Sequence, residues 1–429
     1  MPIAKTFYQS VLWKGLFFVS SFVLNIFLAR HFQAAISGEI FYLINNYSFV
    51  ILIASLTMES AMGYYVSTDE ISVEKLVNFS VVWSLFIAIC LTSFFLSTSS
   101  LIEGHANLAI SFITGNMLLN FSAGIANAKR NFVLTNVVSI IINVVLILLL
   151  LIIDVLKFNI ISDNNFIFFF FSSYLLQAII SVIGLISFYV RTWKFTFLSI
   201  QDFIKLFSYT LVAFSANLVF FLLYRIDYWF VKYFCSAADL GNYIQVSKIG
   251  QLFFLLPGVM ASVVFPLTAG GNKKDVKDIL AVVSRSIFVL YFAICLCLIV
   301  IGYWLFPFLF GDSFSKMYLA FIFLVPGILA LSTLYTLTAY YAGKNRINVN
   351  IKGAFISLVI MIAADLIVIP RYGIYGAAAV SSISYIIFHV YVLNVFRKEY
   401  KVSPAVFFNF RRSDFSRIKN SVYNRVKNA

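Results

Sequence analysis

Charged residues are scarce in this sequence: they make up 11% of its 429 residues, whereas soluble domains carry about 25%. Hydrophobic residues account for 62% of the chain, and the mean hydropathy is +0.96. No hydrophilic stretch is long enough to form a soluble domain. The composition therefore excludes a soluble globular protein and predicts a polytopic, all-α integral membrane protein.

Several signatures of enzymes and metal proteins are also missing. The three histidines, His31, His105 and His389, share no local metal spacing. The four cysteines lie in or beside apolar runs, where they act as small hydrophobic residues. No glycine-rich loop is followed by Lys and Ser or Thr, which excludes built-in ATP hydrolysis. No aqueous loop is large enough for a nucleotide-sugar site or an outer-face polymerase. We predict no catalytic site, no metal and no cofactor, and interpret the chain as a transporter.

Twelve segments are apolar over about the 20 residues that a spanning helix needs. They are residues 11–30, 38–58, 77–97, 106–126, 132–153, 166–190, 206–232, 243–267, 286–306, 317–340, 350–369 and 374–395.

Lysine and arginine are distributed unevenly among the loops between these segments. The net charge of +14 does not indicate nucleic acid, because the basic residues lie in alternate short loops and in the tail, residues 397–429. That pattern sets membrane topology and predicts that both termini are cytoplasmic. The tail mixes basic and aromatic residues, which is typical of an anchor on the anionic inner leaflet.

The two halves of the chain resemble each other. The stretch ARHFQAAISGEIFYLINN, residues 29–46, resembles VKYFCSAADLGNYIQVSK, residues 231–248. In each, a basic residue precedes Phe by two positions and a glycine opens the next helix. We predict two parallel six-helix bundles, residues 1–200 and 201–396.

Internal charges are the candidates for function, because a charge that faces hydrocarbon is costly. The run YRIDYWFVKYF places Arg225, Asp227 and Lys232 among aromatic residues. Arg225 and Asp227 are two residues apart, so they do not share a helix face. Asp227 needs a partner on another helix or in water, and Lys248 is a candidate. Asp365 is a further internal carboxylate, near the end of a predicted helix.

The stretch from Tyr224 to Gly270 resembles polysaccharide flippases, the O-antigen-type transporters of the multidrug/oligosaccharidyl-lipid/polysaccharide exporter superfamily. The likeness rests on Asp227–Tyr228, on the Leu-Gly-x-Tyr motif that begins at Leu240, and on Pro266. The stretches LFGDSFSKMYLAFIFLVPG and YGIYGAAAVSSISY are similar to the entries of the family's helices 10 and 12.

The resemblance implies a twelve-helix transporter with two bundles around a central lumen, in the bacterial cytoplasmic (inner) membrane. It implies transfer of an undecaprenyl-pyrophosphate-linked glycan, such as an O-antigen unit of lipopolysaccharide, by alternating access. A cationic lumen formed by Arg225, Lys248, Lys14 and Arg30 would suit the pyrophosphate. Asp227 and Asp365 would fix a bundle or carry a coupling proton or sodium ion. Other glycan-assembly membrane proteins are expected partners.

Two other classes of function stay open. An ion-coupled drug exporter of the same fold would favour acidic residues in the lumen. A membrane-embedded glycan polymerase would need a large ordered outer loop, which the sequence lacks. A structural scaffold in a glycan-assembly complex is the remaining alternative.

Overall fold

The computed structural model describes residues 3–97, 106–156, 162–190, 193–254, 273–401, 403 and 407. Within these ranges the secondary structure is helical. The α-helices are α1 (Ile3–Ser55), α2 (Met58–Ser67), α3 (Val73–Ser97), α4 (Ala106–Ala128), α5 (Leu134–Leu156), α6 (Asp163–Tyr189), α7 (Ile200–Arg225), α8 (Asp227–Phe234), α9 (Ala237–Leu252), α10 (Lys273–Phe310), α11 (Met317–Gly343) and α12 (Ile347–Tyr400). A short 3₁₀ helix, Asp312–Phe314, links α10 to α11.

Nine helices in the described ranges are long and apolar enough to cross a membrane. Two of them, α1 and α12, have 53 and 54 residues. At about 1.5 Å per residue each is roughly 80 Å long, which suffices for two crossings of a hydrocarbon layer of about 30 Å. Each is interrupted by residues with positive φ, Gln33 at 56° and Gly373 at 57°. The prediction of an all-α integral membrane protein is confirmed.

Where the structure describes the chain, the predicted spans coincide with helices to within a few residues. The span 243–267 coincides with α9 only up to Leu252, and its residues 255–267, including Pro266, lie outside the described residues. Most of the predicted tail, 397–429, also lies outside them. A helix is the expected form of a membrane span, because hydrocarbon offers no hydrogen-bond partner to a peptide group and a helix satisfies its own backbone.

The chain divides into two compact units, and a short segment of α1 belongs to the second of them. The first unit comprises Met1–His31 and Leu43–Leu218, and the second comprises Phe32–Tyr42 and Val219–Ala429. The division into two six-helix bundles at residue 200 stays our proposal.

Each unit has a central helix that is buried among its neighbours. In the first unit α4 packs mainly against α6, and Phe112, Met117 and Phe121 are almost fully buried. In the second unit α11 packs mainly against α12, and Phe321 and Leu337 are fully buried. The surrounding helices α3 and α5 keep exposed apolar side chains, as expected of surfaces that face lipid.

The segment of α1 that belongs to the second unit lies against the start of α9. A Cβ atom on Gly38 would be 2.7 Å from the backbone nitrogen of Gly241, and one on Gly241 would collide with the carbonyl oxygen of Ala34. The two glycines therefore allow a backbone-to-backbone approach that any larger residue would prevent. The Asn242 amide strengthens this corner by donating to the carbonyl of Ser313, whose hydroxyl lies 3.0 Å from the Ala34 backbone nitrogen.

We predict that Gly241→Ala lowers the free energy of unfolding by about 1–3 kcal/mol, because the new methyl group forces α9 away from α1. Gly15→Ala is the matched control, since nothing lies within 4 Å of a Cβ atom there. Thermal unfolding of the purified protein in detergent would measure both variants. Equal midpoints for the two substitutions would contradict the close approach.

Candidate functional site

Arg225 and Asp227 lie at the junction of α7 and α8. α7 ends at Arg225, Ile226 keeps helical backbone angles, and Asp227 begins α8. The side chain of Asp227 is buried, whereas Arg225 is partly exposed and its guanidinium lies 5.1 Å from the ring of Phe221. The two charges therefore point to different environments, as the two-residue spacing predicts.

Hydroxyl groups from two other helices bind the Asp227 carboxylate. Tyr243 of α9 donates a hydrogen bond to Oδ2, and Ser381 of α12 donates another at 2.9 Å. The two hydroxyl oxygens are themselves 3.0 Å apart. The expectation that Lys248 pairs with Asp227 is therefore wrong, because the hydroxyls of Tyr243 and Ser381 bind its Oδ2 instead. The second oxygen, Oδ1, has no hydrogen-bond donor among the described residues.

Two buried tyrosines, Tyr228 and Tyr243, pack around this hydrogen-bond network. Tyr228 follows Asp227 in α8 and is almost fully buried, and its hydroxyl donates to Ser247 at 2.8 Å. The rings of Tyr228 and Tyr243 meet edge to face with centroids 6.0 Å apart. The tyrosines exclude bulk solvent from the carboxylate while they supply hydroxyl groups to it and to its surroundings.

Asp365 of α12 is the second buried carboxylate of this unit. It is fully buried, and neither of its oxygens has a hydrogen-bond donor among the described residues. It lies near enough to Asp227 for their negative charges to interact. An isolated buried carboxylate is costly, so a proton or a bound cation has to neutralise it. The structure thus brings together the two acidic residues that the sequence singled out.

Helix α9 carries both Tyr243 and Lys248. Its first turn is stabilised by an N-cap and by an ion pair. The Ser236 hydroxyl accepts from the backbone N–H of Asp239, as an N-cap does. Lys316 Nζ lies 2.6 Å from Asp239 Oδ1, and that hydrogen bond raises the pKa of Lys316. These contacts fix the position of α9 relative to the start of α11.

The structure also brings two of the predicted cations together. Arg225 and Lys248 are near enough for their positive charges to interact. The Lys248 ammonium lies over the ring of Phe41, 3.1 Å from its centroid, in a cation–π contact. Lys232, one turn beyond Tyr228, forms an ion pair with Glu39.

Lys14 and Arg30 belong to the first unit and have exposed side chains. Lys14 Nζ lies 5.4 Å from the centre of the Phe132 ring. The assignment of these two residues to a lumen shared with Arg225 and Lys248 stays a prediction.

Sequence reasoning missed three residues of the site: Glu39, Tyr243 and Ser381. Each lies in a stretch that the internal repeat or the family resemblance had already singled out. Glu39 follows the glycine of the first repeat, Tyr243 closes the Leu-Gly-x-Tyr motif, and Ser381 lies within YGIYGAAAVSSISY. For Glu39 and Tyr243 the available signal was a polar residue close to a helix-packing glycine, whereas Ser381, five residues after Gly376, had no such signal.

Solved structures resemble this chain in fold, although no protein-family profile and no curated protein matches its sequence. The lipid II flippase MurJ, in an inward closed conformation, gives a TM-score of 0.71 at 15% identity, over 95% of this chain and 90% of MurJ. An inward-facing multidrug resistance MATE transporter of the MOP superfamily gives 0.66 at 13% identity, over 91% and 94%. The chain has the fold of MOP-superfamily transporters.

Another structure with this MOP fold is a transporter from Pyrococcus furiosus, described as having a binding pocket of reverse polarity. It gives a TM-score of 0.60 at 12% identity, over 95% of this chain and 96% of that one. Identities this low show the fold and not the substrate.

We predict that Tyr243→Phe lowers the free energy of unfolding by about 1–3 kcal/mol, because it removes a hydroxyl donor from a buried carboxylate. Tyr233→Phe is the control, since 81% of Tyr233 is exposed. Chemical or thermal unfolding in detergent would compare the two variants. If both behaved like the unmodified protein, the hydroxyl of Tyr243 would not stabilise Asp227.

Proposed function

We propose that this MOP-fold protein is a flippase for an undecaprenyl-pyrophosphate-linked oligosaccharide, an O-antigen or related surface glycan unit. It would carry this lipid-linked glycan from the inner to the outer leaflet of a bacterial cytoplasmic membrane by alternating access, with both termini in the cytoplasm. The observation that carries the proposal is that the positive charges of Arg225 and Lys248 interact within a membrane-spanning unit.

Arg225 and Lys248 carry charges of the same sign that interact with each other, so an anion bound near both is attracted by both. A pyrophosphate carries several acceptor oxygens, and arginine and lysine both bind phosphate through charge-assisted hydrogen bonds. The cation–π contact with Phe41 orients Lys248 at little additional cost. MurJ, which has a similar fold, is described as a lipid II flippase, so a protein of this fold can carry a lipid-linked cargo.

Asp227 and Asp365 are proposed to take up the coupling ion. They provide hard oxygen ligands at the core of the second unit, and the Ser381 hydroxyl binds Asp227. A proton or a sodium ion bound there would relieve the cost of the buried negative charge. In membrane transporters such ions bind near interrupted helices, and α12 is interrupted at Gly373, eight residues after Asp365 in the sequence.

We expect Arg225→Ala and Lys248→Ala each to reduce flipping by about tenfold or more, because a hydrogen bond to a charged group is worth about 1.5–3 kcal/mol. The assay is transfer of a fluorescent undecaprenyl-pyrophosphate oligosaccharide between leaflets of reconstituted liposomes. Lys352→Ala, which alters an exposed cation, is the control.

Three results of that assay have different meanings. Transfer that needs the protein and falls in both site variants supports the function and the cation pair. Transfer that persists unchanged in both variants supports the function and contradicts the pair. If a glycan of matching structure is not transferred above the level of empty liposomes, the flippase proposal is wrong.

We also expect Asp365→Asn to abolish the response of transport to an imposed sodium or proton gradient, because an amide carries no negative charge for the ion to neutralise. Transport driven by the glycan gradient alone should continue. Imposing sodium and pH gradients separately on the same liposomes would identify the ion. An unaltered gradient response in Asp365→Asn would contradict the coupling role.

The second candidate function is an ion-coupled exporter of small cationic drugs, and the buried acidic pair specifically favours it. The resemblance in fold to multidrug resistance transporters supports this alternative. Efflux of a fluorescent cationic dye from the same liposomes distinguishes the two functions. Dye efflux that requires Asp227 and Asp365 but not Arg225 would favour the exporter.

A further inference from the structure

A histidine of the first unit lies between two carboxylates. His31 Nδ1 is 2.6 Å from Asp154 Oδ1 of α5, and His31 Nε2 is 3.3 Å from Asp163 Oδ1 of α6. The two acids are 123 and 132 positions from the histidine in the sequence, so folding brings the three residues together. All three belong to the first unit, whereas Asp227 and Asp365 belong to the second. Both ring nitrogens of His31 therefore face an acidic oxygen.

This arrangement favours a positively charged ring. A neutral imidazole has one N–H donor, so whichever nitrogen carries the proton, the lone pair of the other nitrogen faces a carboxylate oxygen. An imidazolium has two N–H donors and can donate to both acids at once, through charge-assisted hydrogen bonds. Imidazole is also the side chain whose charge ordinarily changes between about pH 5 and 8. Uptake of one proton at His31 thus turns one hydrogen bond into two.

The helix ends that meet at this cluster favour the same distribution of charge. The positive φ of Gln33 interrupts α1 two residues after His31, and positive charge is favoured near the C-terminal end of a helix. Asp163 is the first residue of α6, next to the N-cap Ser162, and negative charge is favoured at a helix N-terminus. Asp154 lies two residues before the end of α5, which is unfavourable for a carboxylate. An imidazolium beside Asp154 offsets that cost.

The surroundings leave the cluster open to protons. The side chains of Asp154 and Asp163 are 42% and 62% exposed, whereas that of His31 is 11% exposed. Arg30, the neighbouring charge on α1, is exposed, so solvent weakens its repulsion of a charged His31. Lys157, between α5 and α6, lies outside the described residues. The ring is therefore nearly enclosed, and the acids that face it provide a route for the proton.

We propose that His31 is a proton-binding site of the first unit. The bound proton lets the ring bridge Asp154 and Asp163, which fastens the end of the first helix of α1 to α5 and α6. All three residues lie just outside the predicted spans, on the side that the predicted topology places at the outer face of the membrane. Protons from that side tighten the contact, and their loss releases one of the two acids. Glycan transfer has no part in this argument, so the inference stands apart from the proposed flippase function.

The first test is a pH titration followed by nitrogen-15 NMR, with the full-length protein labelled at histidine and reconstituted in lipid bilayers. The chain has three histidines, and the signal that disappears in His31→Gln belongs to His31. Asp154→Asn and Asp163→Asn each keep the size of the side chain and remove its charge. Each should lower the proton affinity of His31 about two- to fivefold, the effect of one partly exposed ion pair. The midpoint of the His31 titration then moves to lower pH.

Asp312→Asn is the control, because Asp312 is an exposed carboxylate of the second unit. A His31 midpoint that is the same in the two site variants as in the control would overturn the proposal.

The second test examines the contact between the helices. Because linkage is reciprocal, a proton that binds more tightly in the presence of the two acids also strengthens their contact with His31. The double variant Asp154→Asn/Asp163→Asn should therefore lower the thermal unfolding midpoint in detergent more at a pH below the His31 titration than at a pH above it. An equal loss at both pH values would show that the proton does not fasten α1 to α5 and α6.

Discussion

A carboxylate enclosed by apolar helices must find hydrogen-bond donors, and Asp227 finds them on two other helices. Tyr243 of α9 and Ser381 of α12 bind its Oδ2, so one charged group holds together α8, α9 and α12. The position of α9 in turn determines where Lys248 lies. The arrangement of the whole candidate site therefore depends on satisfying this single buried charge.

At the junction of α7 and α8, the turn of the helix directs Arg225 and Asp227 to different sides. A step of two residues turns a helix by roughly 200°, so Asp227 faces the hydroxyl network while Arg225, just before α8, faces away from it. The Arg225 guanidinium and the buried Asp227 carboxylate thus lie on different sides of the chain at the junction of α7 and α8. A change of charge at Asp227 that shifts α8 would also shift Arg225, which gives ion uptake a direct mechanical route to the proposed substrate site.

Sequence reasoning predicted the helices well because a spanning helix is determined locally, by about 20 apolar residues in succession. It also selected Asp227, Asp365, Arg225 and Lys248, since a charge in an apolar run stands out. It failed on the partner of Asp227. Lys248 is near in sequence and opposite in charge, whereas Ser381 is 154 residues away and resembles every other serine in an apolar helix. Proximity between distant helices is a property of packing, and one sequence does not encode it in a readable pattern.

The glycine contact between α1 and α9 has a consequence for biogenesis. The ribosome adds Gly241 to the chain 203 residues after Gly38 (241 − 38 = 203). At about 5–20 residues per second, the ribosome reaches Gly241 roughly 10–40 s after it has passed Gly38. During that interval residues 32–42 enter the membrane without the helices they finally pack against, and Glu39 lacks Lys232. Lipid head groups, water or the insertion machinery must shelter this segment until α8 and α9 arrive.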